Sequence, residues 1–272
     1  MQSNNPVFNR SEGFQPGGGQ SSGYADPSAW GTGASGDPVA AYNQPSYDSM
    51  TIDSVVQKGA ITLGVVMVTA LATWIGTGEI TEASLGRLYL ALIAGSGAAF
   101  VLSLVNSFKR VVSPGLVLAF AAAEGVALGA ISKFFETMYP GIVFQAVLGT
   151  FAAFAGTLAV YKYFNIKVSG RFRKMVTAAM FGMVGLALLE LVLSMFGAGM
   201  GLAGNGPLGF VFAAAGLVLG VFMLVMDFDF VEQGIANRLE ARESWRAAFA
   251  MTVSLVWVYT NLLRILAFFQ QD

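Results

Sequence analysis

The sequence predicts an all-α integral membrane protein, a bundle of seven transmembrane helices that follows a disordered N-terminal tail. Apolar residues make up 55% of the 272-residue chain and charged residues only 11%, whereas an ordinary soluble domain is about one quarter charged. The mean hydropathy is +0.64, although the first fifty residues are hydrophilic. We therefore expect a cytoplasmic tail at residues 1–50 and a transmembrane domain at residues 51–272.

The composition also excludes several classes of function. The chain contains no cysteine and no histidine, so disulfides, thiolate chemistry, imidazole metal ligands and a histidine base are ruled out. The formal charge of -1 gives no reason to expect nucleic acid as a partner. We expect a protein that is not an enzyme and that has no cofactor.

The tail, residues 1–50, is rich in Gly, Ser and Pro, with isolated aromatic residues such as Tyr24 and Trp30. Such a segment cannot bury enough apolar surface to offset its chain entropy. No basic start or continuous apolar stretch follows Met1, so a signal peptide is not expected. The tail is interpreted as a solvated extension, and the alternative is a partner-binding segment that uses its tyrosines.

Seven apolar runs follow the tail, each about as long as the 20 residues that a helix needs to cross the hydrocarbon of a bilayer. Their approximate limits are 55–77, 87–107, 114–135, 141–163, 175–197, 207–229 and 245–269. Strands of a membrane barrel would be shorter and would alternate in polarity. Pro114, Pro140 and Pro207 stand at or just before the start of a run, where the missing N–H of proline costs nothing.

The basic residues predict the orientation, because cytoplasmic connections carry an excess of Lys and Arg. One side, formed by the tail and the connections after spans two, four and six, has twelve basic residues. They are Arg10, Lys58, Lys109, Arg110, Lys162, Lys167, Arg171, Arg173, Lys174, Arg238, Arg242 and Arg246. The other side has only Arg87 and Lys133. We expect a plasma-membrane protein with a cytoplasmic N-terminus and, unless one run is re-entrant, an external C-terminus.

Small residues within the spans predict close helix packing. Gly95 and Gly97 lie in span two, and the pairs Gly125/Gly129 and Gly216/Gly220 in spans three and six have the four-residue spacing that lets helix backbones approach. The spacing of Gly199, Gly201 and Gly204 matches the G-x-G-x-x-G motif of dinucleotide-binding proteins, but no predicted strand precedes it. These glycines are interpreted as a turn between spans five and six.

Three ionisable residues lie well inside the predicted spans, away from the span ends, where each needs a partner, water or a function. Glu124 lies near the middle of span three, and Glu190 and Arg264 lie in the outer halves of spans five and seven. Counted at about 1.5 Å per residue, Glu190 and Arg264 reach similar heights. They are interpreted either as an internal ion pair or as part of a conduction path. Ser254, Asn261 and Arg264 share one face of span seven, which should point to the protein interior.

Two acids stand at the cytoplasmic end of span six. Asp227 closes the span and Asp229 lies just beyond it, at the membrane level of Lys109 and Arg110 at the end of span two. One interpretation is a latch between these two helix ends. The other is that all four side chains simply belong to solvated helix ends.

Three stretches together resemble the transmembrane Bax inhibitor motif family, the YccA- and YetJ-like bacterial membrane proteins. The stretches are Glu124-Gly-Val-Ala-Leu-Gly129, Met226-Asp-Phe-Asp-Phe-Val-Glu232 and Trp257-Val-Tyr-Thr-Asn-Leu-Leu-Arg-Ile-Leu266. The resemblance covers residues 55–269 and leaves out the tail. It implies a helical bundle with one central span and a pH-sensitive leak for calcium ions.

The resemblance also implies roles for individual residues. Asp227 matches the aspartate that closes span six in the family, with Asp229 as an alternative register, and Lys109 or Arg110 matches the basic latch. The second family aspartate, which shares a proton with the first, falls at Ser254 here. Serine cannot share a proton in this way, so either another acid such as Asp229 substitutes or the pH sensitivity is weaker than in relatives.

The main hypothesis is therefore a calcium or other cation leak, in which Glu124 attracts the ion within the membrane and Asp227 and Asp229 form the gate. Carboxylate oxygens are ligands that calcium prefers, so Glu124 and Asp227 are the candidate calcium ligands. A rival hypothesis is an interaction protein that modulates a membrane protease or another membrane complex through its tail and the connector at 230–244. A proton-coupled transporter is a third hypothesis, but the sequence shows no convincing inverted repeat.

Overall fold

The computed structural model describes residues 48–204 and 206–271, and in this part of the chain it contains seven α-helices and no strand longer than a single bridge. The helices are α1 (Ile52–Gly76), α2 (Glu82–Phe108), α3 (Pro114–Met138), α4 (Ile142–Tyr163), α5 (Gly170–Met195), α6 (Pro207–Ala236) and α7 (Glu243–Phe269). Each is long and apolar enough to cross a membrane. The predicted fold class is confirmed, and the protein is a multi-pass membrane protein whose outer surface contacts lipid.

Helices α2 and α5 each begin five residues earlier than the apolar runs suggest, because capping residues precede the runs. Thr81 and Ser84 form a capping box at the start of α2, and the Ser169 hydroxyl accepts a hydrogen bond from the Phe172 N–H at the start of α5. Such caps satisfy N–H groups that have no partner within the helix.

Helix α6 ends later than predicted. The predicted apolar run ends near residue 229, with Asp227 closing the span, but the helix continues to Ala236, so Asp227 and Asp229 both lie inside it. The helix extends beyond the apolar run because polar side chains continue a helix when they find partners. Gln233 Nε2 donates to Asp229 Oδ2 over 2.7 Å, and the Tyr161 hydroxyl of α4 donates to Glu232 Oε2 over 2.6 Å.

The helices alternate in direction, which gives the bundle two ends. At the first end α1, α3, α5 and α7 begin and α2, α4 and α6 finish; the second end has the opposite termini. Helix α7 packs against α1, α3, α4 and α6, whereas α2 packs against α3 and α5 packs against α6. Among the described residues no extensive contact joins α7 to α2 or to α5, so one side of α7 faces the space between those two outer helices.

The predicted close approaches at glycine pairs are confirmed. A Cβ atom at Gly125 would collide with Val66 and Thr69 of α1, and a Cβ atom at Gly129 would collide with Ala70 of the same helix. A Cβ atom at Gly220 would lie 2.7 Å from Val258 Cγ2 of α7. Gly97 differs, because nothing lies within 4 Å of the corresponding position.

Residues 48–50 are attached to the connection between α6 and α7. The Met50 N–H donates to the Leu239 carbonyl over 2.7 Å, and the Ala241 N–H donates to the Asp48 carbonyl over 2.6 Å. The Met50 side chain is buried against Gly234. Residues 1–47, which make up most of the predicted tail, lie outside the described residues.

Candidate polar groove along α7

One face of α7 carries the candidate site. Arg246, Ala250, Val253, Trp257 and Thr260 follow one another at intervals of four, three, four and three residues, so they form a single stripe along the helix. This α7 stripe lies between α5 and α6 on one flank and α2 and α3 on the other, because residues of all four helices line the clefts beside it. Two clefts open along the stripe.

The cleft nearer the first end, the Asp227 cleft, has a volume of about 260 Å³. It is lined by Arg173, Met226, Asp227, Phe230, Arg246 and Ala250. The half-buried Asp227 accepts a hydrogen bond of 2.5 Å from the Ser254 hydroxyl to its Oδ2 atom. A carboxylate on α6 is therefore joined to α7 and shares its cleft with two guanidinium groups.

Asp229 lies two residues further along α6 and has different partners from those of Asp227. Its side chain is buried, and Oδ2 lies 2.9 Å from Arg173 Nη2 in a salt bridge. Arg173 belongs to α5 and also lines the Asp227 cleft. The ion pair thus joins α5 to α6 beside Asp227.

The structure does not bring Lys109 or Arg110 to either aspartate. Among the described residues the salt bridge to Asp229 comes from Arg173, and the Arg110 backbone carbonyl accepts a hydrogen bond of 2.8 Å from Arg246 Nη2. The proposed latch contact between the ends of α2 and α6 is therefore absent from this conformation. The sequence did not indicate Arg173 as a partner of Asp229, because the two residues are 56 positions apart. Only the place of Arg173 in the basic connection after span four pointed to this end of the bundle.

The second cleft, the Glu124 cleft, has a volume of about 290 Å³ and lies further from the first end. It is lined by Ser96, Ala99, Phe100, Ser103, Phe120, Glu124, Val253, Val256, Trp257 and Thr260. Glu124 is half-buried, and its carboxyl group has no hydrogen-bond or salt-bridge partner in the described part of the chain. The Trp257 indole donates to the Gly216 carbonyl over 2.8 Å, which fixes this ring in the cleft wall.

The two clefts share no lining residue, but they are close together along α7. Ala250 lines the first and Val253 the second, and these residues are about 4.5 Å apart along the helix axis. Val253 also packs against two separate apolar clusters, one with Phe120 of α3 and one with Met223 of α6. Apolar packing at Val253 therefore lies between the two clefts along α7.

The candidate calcium ligands do not form a joint chelating site. Within residues 48–204 and 206–271 no group of three acidic side chains converges in a way that would hold a metal ion. Glu124 and Asp227 are instead isolated carboxylates placed in succession along the α7 stripe.

Glu190 and Arg264 meet the same loop rather than each other. Glu190 accepts hydrogen bonds of 2.8 and 2.9 Å from the N–H groups of Met200 and Gly201, and Arg264 donates to the Leu202 carbonyl. No ion pair joins the two side chains, because each is already satisfied by the glycine-rich connection between α5 and α6. That connection turns at Gly201, where φ is +82°.

The predicted inward face of α7 is confirmed for two of its three residues. Ser254 and Asn261 are buried, and Arg264 is half-buried beside the Phe212 ring. The Asn261 amide donates to the Trp257 carbonyl over 2.8 Å. These polar side chains have partners within the protein, because lipid cannot form hydrogen bonds with them.

The seven helices and the carboxylates beside α7 define a class of protein, the polytopic membrane proteins that keep acidic side chains within a helix bundle. A family model described as "Bax inhibitor 1 like" matches residues 5–271, and the chain belongs to this family. The match begins fifty residues before the stretch on which the resemblance was seen and therefore includes most of the N-terminal segment. No curated protein matches the chain.

Proposed function

We propose that the protein is a non-enzymatic, pH-sensitive leak for calcium or other cations across the bacterial plasma membrane, with its N-terminus in the cytoplasm. Calcium is the transported ion in this proposal, and no cofactor takes part. The observation that carries it is the succession of two carboxylates, Asp227 and Glu124, along one stripe of α7. Hard cations prefer such oxygen ligands, and isolated acids bind them weakly enough to release them.

The conformation described here corresponds to a closed state in this proposal. Val253 separates the two clefts with an apolar side chain, and an apolar constriction resists the passage of a hydrated ion. The Ser254 hydroxyl holds Asp227 between α6 and α7 at the entrance to that constriction. Opening requires α7 to move relative to α6, which breaks or lengthens this hydrogen bond.

The pH dependence is proposed to reside in Asp227. Protonation removes its negative charge, and a hydrogen bond to a carboxylate is about twice as strong as one between neutral groups. Asp229 does not take the place of the missing second family aspartate in this conformation, because its carboxylate pairs with Arg173. We therefore expect a single titrating carboxylate and a shallower pH response than a pair of aspartates would give.

Calcium flux into proteoliposomes loaded with a fluorescent indicator tests the proposal. We expect flux in the wild type that changes with pH, and an altered and pH-independent flux in Asp227→Asn. Glu232→Gln is the matched control, because this acid lies on the same helix but faces Tyr161 of α4. Identical pH-dependent flux in Asp227→Asn and the wild type would exclude Asp227 as the gate, and absence of flux in every sample would exclude the leak.

Modulation of a membrane protease or another membrane complex is the second candidate function. It is favoured by the attachment of residues 48–50 to the connection between α6 and α7, because a partner bound to the preceding tail would then act on the helix that carries Asp227. Pull-down with the full chain and with a chain lacking residues 1–47 tests this function. A partner that is lost with the tail, in a protein without ion flux, would favour modulation over conduction.

A further inference from the structure

The Glu124 cleft has a chemistry that the leak does not require. Its walls carry three aromatic side chains, from Phe100 of α2, Phe120 of α3 and Trp257 of α7. Its one charged group is the Glu124 carboxylate, and no Lys or Arg lines it. The leak uses only this carboxylate, because the aromatic side chains offer a calcium ion none of the oxygen ligands that it prefers.

An apolar cavity with one carboxylate complements a different kind of cation. Aromatic faces attract an organic cation through their quadrupoles, most strongly where water is excluded. The carboxylate balances the charge, and the volume of about 290 Å³ lies at the lower end of the range for small-molecule sites, about 300 Å³. The hydroxyl groups of Ser96, Ser103 and Thr260 supply the remaining polar atoms.

The depth of Glu124 excludes a phospholipid headgroup as the occupant. Glu124 is ten residues into α3, about 15 Å from the start of the helix, which is half the thickness of the roughly 30 Å hydrocarbon core. The ammonium of a lipid in the leaflet stays at the surface of that core. A free cation with an apolar body is not anchored at the leaflet surface by a phosphate group, so it can enter the cleft to this depth.

We propose that the Glu124 cleft binds small amphipathic organic monocations, such as quaternary ammonium compounds or protonated amines with an aromatic or alkyl body. Glu124 is the charge partner, and the rings of Phe100, Phe120 and Trp257 surround the apolar part of the ligand. This inference goes beyond the proposed leak and does not depend on it, because binding is measured without ion flux.

Two isosteric probes test the charge requirement on the unmodified protein. Benzyltrimethylammonium carries the cation, and neopentylbenzene has the same shape with carbon in place of nitrogen. Equilibrium dialysis of the full chain in detergent should show the cation bound at least about tenfold more tightly than the neutral isostere, because only the cation is attracted by the Glu124 carboxylate and by the aromatic rings. Equal affinity for the two probes would overturn the proposal.

Variants then locate the site. Glu124→Gln should remove most of the preference for the cation, because only the attraction of the aromatic rings remains, and it should leave weak binding of the neutral isostere. Trp257→Leu should weaken binding of both probes. Glu232→Gln is the control and should bind both as the wild type does, because this acid lies outside the cleft, hydrogen-bonded to Tyr161. A preference for the cation that is undiminished in Glu124→Gln would also overturn the proposal. Calcium flux, measured separately, decides the leak and leaves this result unaffected.

Discussion

Ser254 of α7 and Asp227 of α6 are joined by a hydrogen bond of 2.5 Å between Oγ and Oδ2. The bond spans 27 residues of sequence and fixes the one carboxylate that lines the Asp227 cleft. A serine therefore stands where the resemblance to the family led us to expect a second acid, and it still contacts the first acid. Position 254 therefore contacts Asp227 although its side chain is a hydroxyl group and not a carboxyl group.

Replacing Ser254 with aspartate, the residue that the resemblance to the family implies at this position, tests how the serine affects the pH dependence of calcium flux. In Ser254→Asp two carboxylates would face each other, and like charges at this distance share a proton. We expect calcium flux that depends more steeply on pH than in the wild type, measured in proteoliposomes over pH 5–8. Ser254→Ala removes the hydrogen bond without adding charge and should reduce the pH dependence. Superimposable profiles for all three proteins would contradict the role given to this pair.

The salt bridge between Arg173 and Asp229 should contribute to the attachment of α5. Asp229 is buried, whereas the Arg173 side chain is 52% exposed, so solvent screens the pair and we expect a coupling free energy of about 0.5–1 kcal/mol. A double-mutant cycle of Arg173→Gln and Asp229→Asn, followed by thermal unfolding in detergent, measures it. Arg171→Gln, at an exposed position two residues earlier, is the control. Strictly additive effects would show that the pair contributes nothing.

Substitution of two glycines should have opposite effects. Gly125→Ala places a Cβ atom against Val66 and Thr69 of α1, and overpacking of this kind costs about 1–3 kcal/mol. Gly97→Ala meets nothing within 4 Å and should stabilise α2 by up to about 1 kcal/mol, because alanine loses less backbone entropy than glycine. Chemical unfolding in detergent compares the two variants. Equal stability would show that α1 and α3 can separate without cost.

The loop between α5 and α6 should depend on Glu190. Glu190→Ala leaves the N–H groups of Met200 and Gly201 without their acceptor, and an intramolecular hydrogen bond contributes about 0.5–1.5 kcal/mol. We expect a lower unfolding midpoint and faster hydrogen exchange in this loop. Leu191→Ala, whose side chain is exposed to lipid or detergent, should change stability by no more than about 0.5 kcal/mol. Unchanged exchange in Glu190→Ala would mean that the loop is held by other contacts.

The helices of this protein could be predicted from the sequence, because a membrane span is a local property. A run of about 20 apolar residues is required and sufficient to cross the hydrocarbon, and all seven runs became helices. The packing role of the glycine pairs was predictable for the same reason, since a spacing of four residues places both on one helix face. The end of α6 could not be predicted from the sequence, because it depends on hydrogen bonds that form only in the folded structure. Asp229 is bonded to Gln233 of the same helix, and Glu232 is bonded to Tyr161 of α4.

The partners of the charged side chains were decided by the tertiary structure alone. Similar heights in the membrane made a pair of Glu190 and Arg264 conceivable, but height does not determine the direction in which a side chain points, and both bind a loop instead. Asp229 likewise took Arg173 rather than a basic residue of α2. The sequence determines which groups must avoid lipid, because the cost of burying a charge depends on residue type. Which group satisfies each of them depends on how the helices pack.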